Sequence, residues 1–425
     1  MHRNTHRALL ASLAFVTLGA LALTGCAPGQ PQDGDSGPVT ITYAFWDPNM
    51  GEAFQAAADA FTQENPDITV EIRQVPFASY FTKLNTQLES KSAPDVFWVQ
   101  NIQFPLYAAN GALADLTSYR DKSDTDLSGV AESALDAFVY DDATYAMPWQ
   151  AITFGLYYNK KLFAEAGVAE PTNDWTWDDV AAAAAKLTNT ATGVYGIVAP
   201  LWNYGNIYQT MYANGADIIT DDGSDTDFDS SKAVEGIKYW TDLVAAGYSP
   251  TLAQLTDTSQ DQWFLSGKTA MESTGSWNAS VFTDALGEDV GVVGAPAGSE
   301  DVSGAALTAN AVAASSTHIA EAYAWAEFLT SAAGQKIINE TAGGAAGAPV
   351  NAEANEAWLT AVGTPSAQVF LDQLPRTKPL PATKNTAAWE NELAPTLTPA
   401  WNGTATAEEV AKKMAEIIRE KLAAE

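Results

Sequence analysis

Between Val39 and Val99 the hydrophobic period switches repeatedly, and that alternation limits the fold more than any other feature. VTITYAF (39–45) is β-branched and alternating, the period-2 pattern of a strand. Residues 51–64 carry apolar side chains at helical spacing and stop at Asn65-Pro66. ITVEIRQ (68–74) alternates again, 77–91 reads as a helix, and DVFWV (95–99) is a short buried-type strand after Pro94. Strands taking turns with helices build an α/β domain around a largely parallel sheet. The pattern returns with a strand over 153–158, a helix over 159–167 closed by Gly167, and a helix through AAAAAKL. Thr176 caps that last helix, with Asp179 placed for a capping box. Single helices are predicted over 319–339 and 407–422. A chain of 425 residues exceeds one ordinary domain, so two compact units are expected.

Charge and rare residues exclude several kinds of chemistry. The formal net charge of -31 repels phosphate backbones, which argues against a nucleic-acid partner. Beyond residue 25 the chain holds one histidine, His318, which precedes a helix and reads as a surface residue. A Ser-His-Asp set then has at most one base, and a histidine-rich zinc site cannot be assembled. No cofactor or metal is expected. Asp225-x-Asp227-x-Asp229 opens like a calcium loop, but Ser230 stands in place of the turn glycine and Gly236 in place of the closing glutamate. A solvated turn between two strands is the expectation there.

The N-terminus has the layout of a secretory signal. His2, Arg3, His6 and Arg7 are followed by an uncharged apolar run over 8–26. Leu23-Thr24-Gly25-Cys26 matches the lipobox of bacterial lipoproteins, and Cys26 is the only cysteine. The match implies a signal peptide over 1–25, diacylglyceryl modification of Cys26, and a tether to the outer face of the cell membrane. Residues 26–38, rich in Pro, Gly, Asp and Ser, read as a flexible stalk.

Further motifs appear together and in order. Tyr145-Ala146-Met147-Pro148-Trp149 precedes Tyr157-Tyr158-Asn159-Lys160 and a helix ending in Ala166-Gly167. Pro171 and Thr176-Trp177-Asp178-Asp179 follow, then Phe264-x-x-Gly267-Lys268-x-Ala270-Met271 with Gly275-Ser276-Trp277, then Gly343-Gly344 and Pro349-Val350. With these blocks the chain resembles the extracellular solute-binding proteins of ABC importers, specifically the family 1 carbohydrate-binding, maltose-binding-protein-like type. The resemblance covers nearly all of the chain beyond the signal. It implies an α/β, two-lobed periplasmic-binding-protein-like fold of type II, with the ligand in a cleft between hinged lobes. Lobe 1 would take 39–152 and 297–349; lobe 2 would take 153–296 and 350–425. It further implies a monomeric receptor, not an enzyme, that captures a mono- or oligosaccharide and hands it to the importer's membrane subunits.

A sugar offers a C–H face for aromatic stacking and hydroxyls for paired donors and acceptors. Aromatics beside short polar side chains after strands are therefore the candidates. Trp46 and Asp47 follow the first strand, where Trp46 either closes the strand over the core or faces the cleft. Gln100 and Asn101 follow the third strand, after a Trp98 that also suits the core. Trp149, with Gln150, sits at the crossing between lobes and suits either a hinge lock or a ligand contact. Trp202 and Tyr204 follow Pro200, and Trp277 with Asn278 stands among residues too small to bury an indole. Trp389, beside Glu390, and Arg376 come from the last third, where Arg376 serves either a ligand or a surface ion pair. Two rivals stay open: the same receptor with a polyamine, peptide or anionic sugar derivative, and a secreted carbohydrate-active enzyme.

Overall fold

The computed structural model describes residues 37–220 and 223–425. The signal peptide, Cys26 and all of the stalk before Gly37 lie outside the described residues, as do Asp221 and Asp222 of the acidic turn.

The predicted alternation builds the first sheet. Strands β1 (Val39–Phe45), β2 (Ile68–Gln74) and β3 (Val96–Gln100) lie parallel in the order β2-β1-β3, with Val39 opposite Ile68 and Phe45 opposite Gln74. After a small hairpin of β4 (Val139–Tyr140) and β5 (Ala143–Thr144) comes β6 (Ala146–Ile152). The second sheet has β7 (Phe154–Asn159) between β8 (Met271–Gly275) and β9 (Val290–Gly294), antiparallel to both. The long β10 (Ser303–Val312) then returns to the first sheet and runs antiparallel to both β3 and β6, followed by β11 (Ala348–Pro349) on β6 and β12 (Thr377–Pro379) on β10. The first sheet is therefore mixed, not largely parallel. β10 runs antiparallel because it enters the sheet from the second lobe instead of through a local βαβ crossover.

Only Thr153 separates β6 from β7, so one continuous extended segment passes from one sheet to the other. The first sheet packs on Phe54, Ala57 and Phe61 of the helix Gly51–Glu64 and on Trp325 and Leu329, forming one core. A second core joins Leu156, Val180, Met211, Trp240 and Met414, and a third lies against Tyr157 with Phe282, Trp358 and Phe370. These cores and sheets make two lobes sharing the β6–β7 and β9–β10 passages.

Local chemistry sets the helix ends. Thr176 and Asp179 form the capping box, worth about 1 kcal/mol, and Gly167 closes its helix at φ +64°. The helix predicted over 319–339 is two helices, Ile319–Thr330 and Ala332–Ala342. Ser331 breaks it: extended at ψ 158°, its hydroxyl accepts from the Gly334 amide and caps the second helix. The acidic turn joins the helices Tyr208–Ala213 and Ser231–Ala245, not two strands. Its Asp225 and Asp229 accept from Arg419 of the C-terminal helix Ala407–Leu422, at 2.6 and 2.7 Å. His318 is half-buried at the start of its helix. Among the described residues no helix is long and apolar enough to cross a membrane.

Candidate functional site

The strand ends of both sheets converge on a cleft of about 920 Å³, near the top of the usual range for small-molecule sites. The end of β1 supplies Trp46 and Asp47, the end of β2 supplies Gln74 and Phe77, and β3 supplies Trp98 and Gln100. β6 adds Gln150; from the second lobe come Phe154, Trp202, Asn203, Tyr204 and Trp277.

The walls are aromatic arrays. On the first lobe Trp46 meets Trp98 edge to face at 4.6 Å, with Phe77 at 5.7 Å and Tyr80 at 5.2 Å. Gln74 holds this corner by donating to the Trp46 carbonyl at 2.9 Å. On the second lobe Phe154, Trp202 and Trp277 form a triangle of near-perpendicular contacts, 5.8 to 6.0 Å between centroids. Each of the two tryptophans lies over a glycine. A Cβ on Gly205 would enter the Trp202 ring, and one on Gly275 the Trp277 ring. The small residues around Trp277 are thus what lets the indole fold back on its own strand.

Between the walls the polar groups are mostly neutral. Gln150 accepts from the Gly347 amide at 2.8 Å, whereas Oε1 of the buried Gln100 has no protein partner. Asp47 accepts from the Asn49 amide at 2.8 Å, and burial raises its carboxyl above the usual range against that bond. Asn203 and Tyr204 begin a π-helical turn, Asn203–Ile207, a distortion found often at functional sites. Both donate to Glu390, and Gln103 of the first lobe approaches the same Tyr204 hydroxyl. Burial and the neighbouring Glu390 push the Tyr204 and Tyr208 hydroxyls far up, so both keep their protons. Among the described lining residues there is no lysine, arginine or histidine, and Asp47 is the sole carboxylate.

Of the residues predicted from sequence, Trp46, Asp47, Gln100, Trp202, Tyr204 and Trp277 line this cleft. Five others stand elsewhere. Trp149 is buried beneath Trp98, stacked at 4.9 Å. Asn101 is buried between strands, donating to the Leu380 carbonyl at 2.9 Å and accepting from the Leu307 amide at 3.1 Å. Asn278 turns inward to Thr274 and Asp261 at 3.1 and 3.3 Å. Trp389 is wholly buried, its Nε1 donating to Thr383 at 3.2 Å. Arg376 pairs with Asp301 at the surface. Sequence reasoning passed over Gln74, Phe77 and Phe154. The first two follow the rule that found Trp46 and Gln100, because they end β2 and open the next helix.

A second groove of about 610 Å³ runs along the second lobe beside Trp177 and Tyr239. Those rings stack on each other at 5.1 Å and 25°, so one face of each is already taken.

Two α/β lobes with an aromatic-walled cleft at their strand ends define a type II two-lobed binding protein. Residues 47–336 match the family model described as bacterial extracellular solute-binding protein, and the chain belongs to that family. It is 25% identical to the diacetylchitobiose binding protein of Streptomyces coelicolor over 310 residues, 69% of this chain and 70% of that protein. Among solved structures, an ABC substrate-binding protein from Listeria monocytogenes in complex with cycloalternan is similar at TM-score 0.84 and 30% identity, over 90% of this chain and 99% of that one. A cyclic alpha-maltosyl-1,6-maltose binding protein from Arthrobacter globiformis is similar at TM-score 0.74 and 25% identity, over 92% and 100%.

Proposed function

We propose that this protein is the substrate-binding component of an ABC importer and that its ligand is a neutral oligosaccharide. The observation that carries this reading is the cleft itself: two opposed aromatic walls, with amides, a tyrosine hydroxyl and one carboxylate between them. Pyranose rings stack on the walls, and their hydroxyls pair with Gln100, Asn203, Tyr204 and Asp47. An anionic sugar would lack a cation among the described lining residues, and a polyamine would find one carboxylate. Glycoside hydrolysis normally needs a flanking carboxyl pair, and Asp47 stands alone there. The similar proteins from Streptomyces, Listeria and Arthrobacter are named for, or hold, oligosaccharides.

In this account the lobes divide as 39–152 with 297–349 and 153–296 with 350–425, apart from Thr377–Pro379, which adds to the first sheet. Ligand-driven closure about Thr153 and residues 295–302 traps the sugar, and the closed form docks on the importer's membrane subunits. Cys26 carries the lipid that keeps this monomeric receptor at the cell surface; a Cys26→Ala variant should then be released from the cell.

A thermal-shift screen of neutral, anionic and basic solutes tests the ligand class. A ligand at about a thousandfold its Kd adds roughly 4 kcal/mol to stability. Stabilisation by neutral oligosaccharides alone is expected; a response confined to charged solutes would overturn the reading.

A further inference from the structure

Glu390 does not line the cleft, yet two residues that do are hydrogen-bonded to it. The Asn203 amide donates to Oε1 at 2.8 Å, Tyr208 donates to the same oxygen at 3.0 Å, and Tyr204 donates to Oε2 at 3.3 Å. An ionised carboxylate only accepts, so each of the three groups turns a proton toward it. Burial raises the Glu390 carboxyl, and these three donors work against that rise by favouring the charged form.

The arrangement is braced on both sides. Glu390 ends the short helix Thr386–Glu390, whose buried Trp389 anchors it in the second core. Opposite, Gln209 donates to the Tyr204 carbonyl at 2.7 Å and accepts from the Gly304 amide at 2.8 Å, tying the π-helical turn to β10. Tyr208 is fully buried, so its contact with Glu390 is internal to the lobe.

Resting on the oligosaccharide reading, we propose that Glu390 is a positioning residue that sets the hydrogen-bond polarity of the second-lobe wall. The single proton of Tyr204 is committed to Glu390; of the two lone pairs on its oxygen, Gln103 approaches one and the other is left to accept from a ligand. Asn203 commits one amide proton and keeps its carboxamide oxygen for the same purpose. Across the cleft, Gln100 Oε1 is a buried acceptor without a protein partner, and Asp47 accepts as well. Both walls thus offer acceptors, and the matching ligand groups are hydroxyl donors. Glu390→Gln keeps the shape but supplies an N–H to this cluster. That donor competes with the tyrosine protons, so Tyr204 turns its own proton into the cleft; the sugar hydroxyl there loses its acceptor and must turn to accept, giving up the hydrogen bond it accepted elsewhere.

The test is isothermal titration of diacetylchitobiose, cycloalternan and cyclic alpha-maltosyl-1,6-maltose into wild type, E390Q, Y204F and the double variant, with melting temperatures in parallel. For whichever of these sugars wild type binds, E390Q should weaken affinity at least tenfold and Y204F several-fold. The double variant should be no worse than the worse single, because both act through one hydroxyl. Unchanged affinity in E390Q, or losses that simply add, would overturn the role of Glu390 and leave the receptor reading standing. If E390Q does not fold, Y204F decides, and wild-type affinity in Y204F overturns the proposal. No binding of any of the three sugars by wild type overturns the proposal at its foundation, together with the oligosaccharide reading for this ligand set.

Discussion

Truncating Trp277 to alanine separates a ligand platform from a core anchor. The indole is half-buried: it lies over Gly275, meets Phe154 at 5.9 Å and 90° and Trp202 at 6.0 Å and 80°, and lines the cleft. A pyranose stacked on it would remove roughly 70 Å² of apolar surface from water, which at about 25 cal/mol per Å² is worth about 1.8 kcal/mol. The expected loss is therefore about twentyfold in Kd. The cost to the fold is smaller than for a core tryptophan, because the truncation enlarges an open cleft instead of leaving a sealed cavity. About 1 kcal/mol, or a fall in Tm of roughly 1–2 °C, is expected. Isothermal titration and a melting curve on the same preparation give both numbers. Affinity within twofold of wild type would remove Trp277 from the ligand site. A fall in Tm of roughly 4 °C or more would mark it as a core residue, contrary to its exposure.

Other perturbations test other parts of the account. Phe77 is 55% exposed at the cleft rim, so Phe77→Ala should leave Tm unchanged while weakening the binding of longer oligosaccharides several-fold more than that of disaccharides; equal losses would contradict an outer platform. Gly275→Ala pushes a methyl into the Trp277 ring and should cost affinity about as much as removing the ring, readable by the same titration. Glu272 on β8 is wholly buried beside Asp261, and burial, reinforced by a hydrogen bond and charge repulsion with Asp261, holds its carboxyl far above the usual range. Folded protein then keeps a proton that unfolded chain loses, so its contribution is full below the ordinary glutamate value and declines as pH rises. Glu272→Gln should match wild type in Tm near pH 4 and exceed it near pH 8, with a gap that widens as pH rises. A gap independent of pH would contradict this.

Much of this architecture was legible because period and punctuation are local. The strand of 39–45, the helix of 51–64, the capping box at Thr176 and the terminal helix all stand where their patterns place them. The direction of β10 was not legible, since nothing local tells a strand which neighbour it will meet. The break at Ser331 hid inside an unbroken apolar pattern, and only the cap geometry reveals it. At the site, the ends of strands pointed to the right segments but not to the right side chain of each pair. Neighbours in a strand face opposite ways, so Gln150 looks into the cleft while Trp149 stacks under Trp98. On the helix Thr386–Glu390 the turn of about 100° per residue puts Trp389 in the core and leaves Glu390 to reach Asn203 and Tyr204. Composition and spacing carry no record of that phase.

The central claim is that the space between the two aromatic walls holds a neutral oligosaccharide. A crystal structure of the protein with an oligosaccharide bound at saturation tests it most directly. The account predicts sugar rings between Trp46, braced by the buried Trp98, on one side and Trp202 and Trp277 on the other, with a hydroxyl donating to Tyr204. Sugar density in the groove beside Trp177 and Tyr239, with the cleft left to solvent, would contradict it.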